Sequence, residues 1–205
     1  MKFLIIGVGN VGLRHIQGLT NLSEKNLEFY LLDKNDLYKT RFDQEIKEIK
    51  KNHILNQISK IEELKNIEFE LTIISTTATN RPELLSYIIG KIKTKFILIE
   101  KPICQSESEL ENLRKFSSNN IFVNYPRRYC EWHKKIKNKL LLGKFNKFVK
   151  VEISGGFIGL ACNACHFIDL FNFWTNRHPT KINTDGLGDW YISKSESLVL
   201  QLEQG

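Results

Sequence analysis

The sequence predicts an α/β fold: a doubly wound parallel sheet over residues 1–124, followed by a partial α+β domain over residues 125–205. Three observations predict it. Short apolar runs alternate with helix-like segments from the first residues onward. The first run, Phe3 to Ile6, feeds directly into Gly7-x-Gly9-x-x-Gly12. After Asn124 the alternation gives way to a basic helical segment and then an apolar one.

The elements follow in order. Phe3–Ile6 is apolar at every position, as a strand buried on both faces reads. A helix is expected over Val11–Leu22, then strands at Glu28–Leu32, Leu71–Ser75, Phe96–Ile99 and Ile121–Asn124. Helices at Arg81–Ile92 and Glu107–Ser117 separate the later strands. The charged middle, Asn35 to Asn66, is expected to hold helix, a short strand near Ile58 and a helical turn around Glu62–Lys65. The second domain reads as a basic helix (Tyr129–Leu142), a strand (Lys147–Ser154), a loop (Gly155–Leu160) and an apolar helix (Ala161–Trp174). A last strand, near Leu198–Leu202, has no evident partner in the sequence.

A strand, then Gly7-x-Gly9-x-x-Gly12, then an amphipathic helix is the context of a Rossmann dinucleotide fingerprint. Gly7 suits the tight turn, Gly9 lets backbone approach a pyrophosphate, and Gly12 lets helix pack close to strand. The N–H groups that open the helix, at Asn10 and Val11, would face the pyrophosphate. Asp33 closes the next strand at an interval that suits a carboxylate bonding an adenosine ribose, which favours NAD over NADP. Lys34 and Lys39 leave NADP open, and an ordinary helix cap or turn is the competing role for Asp33.

Bulk properties bound the rest. A hydrophobic content of 41% supports a globular core. The net charge of +7 comes from lysines scattered along the chain, such as Lys47, Lys50 and Lys51. They form no basic stripe with a binding motif, so no nucleic-acid partner is expected. Phe3–Ile6 is too short for a signal-peptide core, and no apolar run approaches a membrane span. A cytoplasmic protein with reduced cysteines and no membrane partner is expected.

Three strand ends carry further polar residues. Thr76 and Thr77 follow one apolar run, Glu100-Lys101-Pro102 the next, and Asn124-Tyr125-Pro126-Arg127-Arg128 the last. In parallel sheets ligands bind at such carboxyl ends. Asn163, Cys165, His166 and Asp169 sit on the apolar helix.

Together these segments resemble the Gfo/Idh/MocA family of NAD(P)-dependent oxidoreductases. The resemblance rests on G-x-G-x-x-G-x-x-H from Gly7 to His15, E-K-P at Glu100–Pro102, Asn124 before Pro-Arg-Arg, and H-x-x-D at His166 and Asp169. The Asn-x-Pro-Arg-Arg and Asn-Ala-x-His variants look like members associated with bacterial surface-sugar biosynthesis. The resemblance implies hydride transfer between a nicotinamide and a carbon-bound hydroxyl of a sugar or nucleotide-sugar. It implies Lys101 and His166 as the acid–base pair, Glu100 as the group that positions Lys101, and Pro102 as the fixed turn. Gly7, Gly9, Asn10, Val11, Gly12, Asp33, Thr76, Thr77, Glu100, Lys101 and Asn124 would line the cofactor. Lys101, Arg127, Arg128, Asn163 and His166 would meet the substrate. For the two arginines two roles stand open, gripping a phosphate or carboxylate and forming interdomain ion pairs.

One departure stands out. The family commonly has an aspartate four residues before the histidine, where this chain has Cys162, whose thiol cannot replace a carboxylate in a proton relay at neutral pH without a strongly lowered pKa. Cys162-x-x-Cys165-His166 also spells the c-type haem pattern, but the helical setting and the lack of any methionine beyond Met1 oppose it. No second cysteine pair stands at zinc-ligand spacing, so no metal is expected. The family's second domain is a large open sheet that often mediates oligomers, and the sequence reaches only its first elements. The alternative expectation is therefore a truncated, catalytically inactive dinucleotide-binding protein. The resemblance leaves room for a homo-oligomer formed through the second domain.

Overall fold

A computed structural model describes residues 1–22, 26–34, 43–116, 120–143, 150–154, 160–183, 185, 190–192 and 200–202. The chain divides into two compact units, Met1–Asn124 and Tyr125–Gly205.

The first unit runs β1 (Lys2–Ile6), α1 (Asn10–Thr20), β2 (Glu28–Leu32), α2 (Asp43–Lys50) and β3 (Ile54–Ile58). A 3-10 turn (Ile61–Leu64) precedes β4 (Glu68–Ile74), α3 (Arg81–Lys91), β5 (Lys93–Ile99), α4 (Glu107–Arg114) and β6 (Ile121–Val123). The strands pair in parallel in the order β3-β2-β1-β4-β5-β6. Parallel neighbours need crossovers, which the helices supply. The order reverses between β1 and β4, which makes this a Rossmann-type doubly wound sheet.

Alternation along the strands sends side chains to two cores. Leu4, Ile6, Ile74 and Ile99 pack on one face under Leu85 and Ile88 of α3 and Leu113 of α4. Phe3, Ile5, Phe29, Leu31 and Ile73 pack on the other under Leu13 and Ile16 of α1 and Ile46 and Ile49 of α2. Each such side chain contributes about 1.5–3 kcal/mol on burial. Helices thus cover most of both faces, Phe96 and Phe122 at the β5–β6 end staying exposed, and the polar strand-end residues gather at the carboxyl edge.

Two strands are longer than their apolar runs. β4 begins at Glu68 rather than Leu71, and β5 at Lys93 rather than Phe96. The extra residues pair charge across the strands: Lys95 Nζ donates to Glu70 Oε1 at 2.8 Å, and Lys93 Nζ lies 3.6 Å from Glu68 Oε1. Opposite charges facing each other stabilise a ladder that hydrophobicity alone does not reveal.

The second unit contains a 3-10 turn (Pro126–Tyr129), α5 (Glu131–Leu142), α6 (Leu160–Thr175), β7 (Trp190–Ile192) and β8 (Leu200–Leu202). The basic helix starts at Glu131 instead of Tyr129, because Pro126 opens the tighter turn and Cys130 is extended. The expected strand at Lys147–Ser154 is corrected over Lys150–Ser154, which is irregular; residues 147–149 lie outside the described residues. An extended segment becomes a strand only with a ladder partner. Most of the expected loop, residues 155–159, is also outside them, and Leu160 already belongs to α6. The last strand does have a partner: Leu200–Leu202 pairs antiparallel with Trp190–Ile192. Among the described residues no helix is long and apolar enough to cross a membrane.

Candidate functional site

Because the strands are parallel, the segments after β1, β2, β4, β5 and β6 all emerge at one edge. Backbone bonds carry the ladder past the strand ends: Gly7 N–H donates to Leu32 O at 2.9 Å, Ser75 N–H to Ile6 O at 2.8 Å, Glu100 N–H to Ile74 O at 2.9 Å and Asn124 N–H to Ile99 O at 2.8 Å. Ser75 Oγ adds a bond to Gly7 O at 2.6 Å. The glycine turn is thus tied to the end of β4.

The three glycines are required for different reasons. Gly7 has φ +87°, and a Cβ there would stand 2.7 Å from Thr76 N. At Gly12 a Cβ would run into Gly7 O and lie 3.0 Å from Ser75 Oγ. Both positions exclude a side chain on packing grounds. Gly9 differs. Its φ of −76° suits any residue, and a Cβ there would meet nothing within 4 Å. No packing within the unit requires glycine at this position.

The space before Gly9 has the chemistry of an anion cradle. Asn10 and Val11 open α1, both are exposed, and the first turn holds no acidic residue. Val11 is 46% exposed, an apolar side chain at the mouth of the turn. Val8 N–H donates to Asp33 Oδ2 at 2.5 Å, so the carboxylate that ends β2 is held against the glycine turn. A carboxylate has about four acceptor positions, so this bond leaves capacity for a ribose hydroxyl. Thr76 Oγ1 is buried at the same edge with no hydrogen-bond partner among the described residues, whereas Thr77 is exposed. A dinucleotide fits this set: donors at a helix N-terminus, no side chain between, and a carboxylate at the next strand end.

A polar network lies beside it. Glu100 Oε1 sits 2.9 Å from His15 Nε2 and accepts from Asn124 Nδ2 at 2.5 Å. Burial pushes the Glu100 pKa up, but the bonds from His15 and Asn124 and the charges of His15 and Arg81 outweigh it and hold the carboxyl below its ordinary range. Lys101, half-buried, follows Glu100 directly, and the Lys101–Pro102 peptide is cis.

Arg81 is the residue that the sequence reading missed. It is 3% exposed, at the first position of α3. Its guanidinium donates to Glu100 O at 2.6 Å, to Pro102 O, and to Thr76 O. One side chain therefore clamps the segments after β4 and β5, flanking Lys101. Burial lowers its pKa, with the Glu100 charge opposing. A signal was present: a cation at a helix N-terminus opposes the helix dipole, so it needs another reason to be there.

In the second unit the Tyr125–Arg128 segment is laid along α6. The Tyr125 and His166 rings meet edge to face at 5.7 Å, and His166 is buried. Arg127 lies over the Phe167 ring at 4.7 Å and donates to Asn163 Oδ1 at 3.4 Å. Arg128 donates from Nε to Asp169 Oδ2 at 3.0 Å and from its NH2 nitrogen to Oδ1. The one-turn spacing of His166 and Asp169 thus serves two different partners. The Cys162 side chain lies outside the described residues.

A Rossmann-type unit with a glycine turn, a carboxylate at the second strand end and a polar cluster after β5 is the class that fold and site define. No family model and no curated protein sequence matches the chain. Solved structures do resemble it. Myo-inositol 2-dehydrogenase from Lactobacillus plantarum is 20% identical with a TM-score of 0.61, over 87% of this chain and 57% of that one. Scyllo-inositol dehydrogenase from Lactobacillus casei, solved with NAD(H) and scyllo-inositol, is 15% identical with a TM-score of 0.57, over 86% and 56%. The WlbA dehydrogenase from Bordetella pertussis, in complex with NADH and UDP-GlcNAcA, is 14% identical with a TM-score of 0.61, over 85% and 55%. At these identities the likeness is one of fold, and the chain spans just over half the length of these structures.

Proposed function

We propose that this chain is an NAD(P)-dependent oxidoreductase of the Gfo/Idh/MocA type, acting on a hydroxyl-bearing carbon of a sugar or nucleotide-sugar in the cytoplasm. NAD is the preferred cofactor, since Asp33 suits a ribose diol and repels a 2′-phosphate. The observation that carries the reading is Gly9, a glycine that packing does not require, opposite an open helix N-terminus. Support comes from the NAD(H) and NADH named in two of the similar structures.

When bound, the nicotinamide supplies the hydride acceptor or donor. The chain's own residues handle binding and protons. Gly7, Gly9, Asn10, Val11 and Gly12 receive the pyrophosphate, and Thr76, Thr77 and Asn124 line the same edge. In substrate oxidation Lys101 takes the hydroxyl proton as the hydride leaves the same carbon, and returns it in the reverse direction. Glu100, held by His15 and Asn124, positions Lys101. His166 is the second acid–base group, and Asn163 binds substrate hydroxyls through its amide. Surface-sugar biosynthesis is the proposed setting, and self-association through the second unit the proposed assembly.

The test separates binding from turnover. NADH should raise the melting temperature by linkage, and Asp33→Arg should weaken that shift. Gly9→Ala should leave unfolding stability within about 0.5 kcal/mol of wild type. Its NADH affinity should fall about tenfold or more, the loss of ~1.4 kcal/mol of contact. Equal NADH affinity in wild type and Gly9→Ala would refute the cofactor reading. Dinucleotide reduction with a panel of sugars and nucleotide-sugars should vanish in Lys101→Ala; turnover that survives the substitution removes Lys101 from the chemistry.

A further inference from the structure

We propose that Arg127 recognises an anionic group, so that the substrate carries a phosphate or a carboxylate; this rests on the oxidoreductase reading above. Two adjacent arginines have different surroundings. Arg128 is matched by Asp169 through two bonds, and its charge is balanced. Arg127 is placed by neutral groups instead: the Phe167 face on one side and the Asn163 amide oxygen at its edge. Among the described residues no carboxylate lies within ion-pair distance of it.

The local field adds to the imbalance. His133 is buried beside Arg127, and burial, then the Arg127 charge, holds its imidazole toward the neutral form. Lys137 brings a further cation over the Phe173 ring at 4.3 Å. A guanidinium has five N–H donors, and Asn163 accepts from one of them. Stacking on Phe167 has already restricted the side chain, so little rotamer entropy remains to be lost on binding. A fixed guanidinium fork with unmatched charge suits bidentate recognition of phosphate or carboxylate. A neutral polyol would leave that charge unanswered.

Calorimetric titration of the full chain, saturated with NADH, tests this with UDP and glucuronate as anions and myo-inositol as the neutral control. Wild type should bind at least one anion more tightly than the polyol. UDP alone would identify a phosphate group, and glucuronate alone a carboxylate. Arg127→Gln should weaken anion binding by about 10–100-fold, the loss expected for a charge-assisted hydrogen-bonded pair, with NADH affinity unchanged. Arg127→Lys, which keeps the charge without the fork, should fall between the two and serves if the glutamine variant misfolds. The proposal is overturned if wild type binds neither anion, if UDP merely displaces NADH, or if both Arg127 variants bind like wild type. Failure of wild type to bind NADH at all would instead sink the oxidoreductase reading.

Discussion

The two units place arginines in opposite kinds of surroundings. In the first, Arg81 is buried and bonds only backbone carbonyls, those of Thr76, Glu100 and Pro102. In the second, Arg127 and Arg128 bond side chains of one helix, Asn163 and Asp169. The difference follows from the architecture. A six-stranded parallel sheet delivers several chain segments to one edge, each with carbonyls beyond the last ladder bond. Buried carbonyls need donors, and a guanidinium has enough to serve several at once. The described part of the second unit has helices and a two-stranded ladder, so its connections run through side-chain pairs along α6. Where a sheet edge converges, an arginine organises backbone; along a helix, it is organised by the residues opposite.

The largest effect that would break this comparison comes from Arg81. Arg81→Met removes the donor from three carbonyls and should cost about 3 kcal/mol or more, read as a lower urea midpoint with NADH-induced stabilisation reduced. An unchanged midpoint would mean that the carbonyls find other donors and that the clamp is incidental. Asp169→Asn should cost about 1–3 kcal/mol, because Asp169 is nearly buried and its two bonds are replaced by weaker ones. That loss should appear in tryptophan fluorescence, since Trp132, Trp174 and Trp190 all lie in the second unit. Loss of stability confined to the first unit would contradict the pairing.

The smallest effect is one of acidity, and it sharpens the contrast. His133 has a lowered pKa through burial and then the Arg127 charge, so its contribution is complete above the ordinary value of 6.5 and declines as pH falls below it. Glu100 also has a lowered pKa, so its contribution holds above 4.5 and is lost only as pH falls further. The rings of Trp132 and Trp174 flank His133 at 3.3 and 5.2 Å. Tryptophan emission should therefore change only below pH 6.5, and the first unit's NADH-dependent stabilisation through Glu100 should decline only below pH 4.5. An emission change above pH 6.5, or loss of the Glu100-dependent stabilisation above pH 4.5, would reverse the assignment.

The parts of the fold legible in the sequence were those written in hydrophobic periodicity. β1 and β2, the helices on either side of the sheet and the glycine turn follow from apolar runs and glycine spacing. The charged starts of β4 and β5 did not, since Glu68, Glu70, Lys93 and Lys95 read as solvent-facing until paired across strands. β8 lacked a visible partner because Trp190–Ile192, only three residues long, is too short a run to read as a strand until it pairs antiparallel with Leu200–Leu202.

The site divides the same way. The sequence by itself determined which chemistry is present: Gly7 to Gly12, Asp33, Glu100-Lys101 and Asn124 at strand ends of a parallel sheet, because residue type and period carry that information. Only the tertiary structure decided which residue does what. It distinguished Gly9 from Gly7 and Gly12, because only packing shows which hydrogen atom a neighbour demands. It revealed Arg81, because its acceptors are backbone carbonyls, which every residue has and no sequence pattern marks. It separated Arg127 from Arg128, identical and adjacent, because the register of α6 sets an amide before one and a carboxylate before the other.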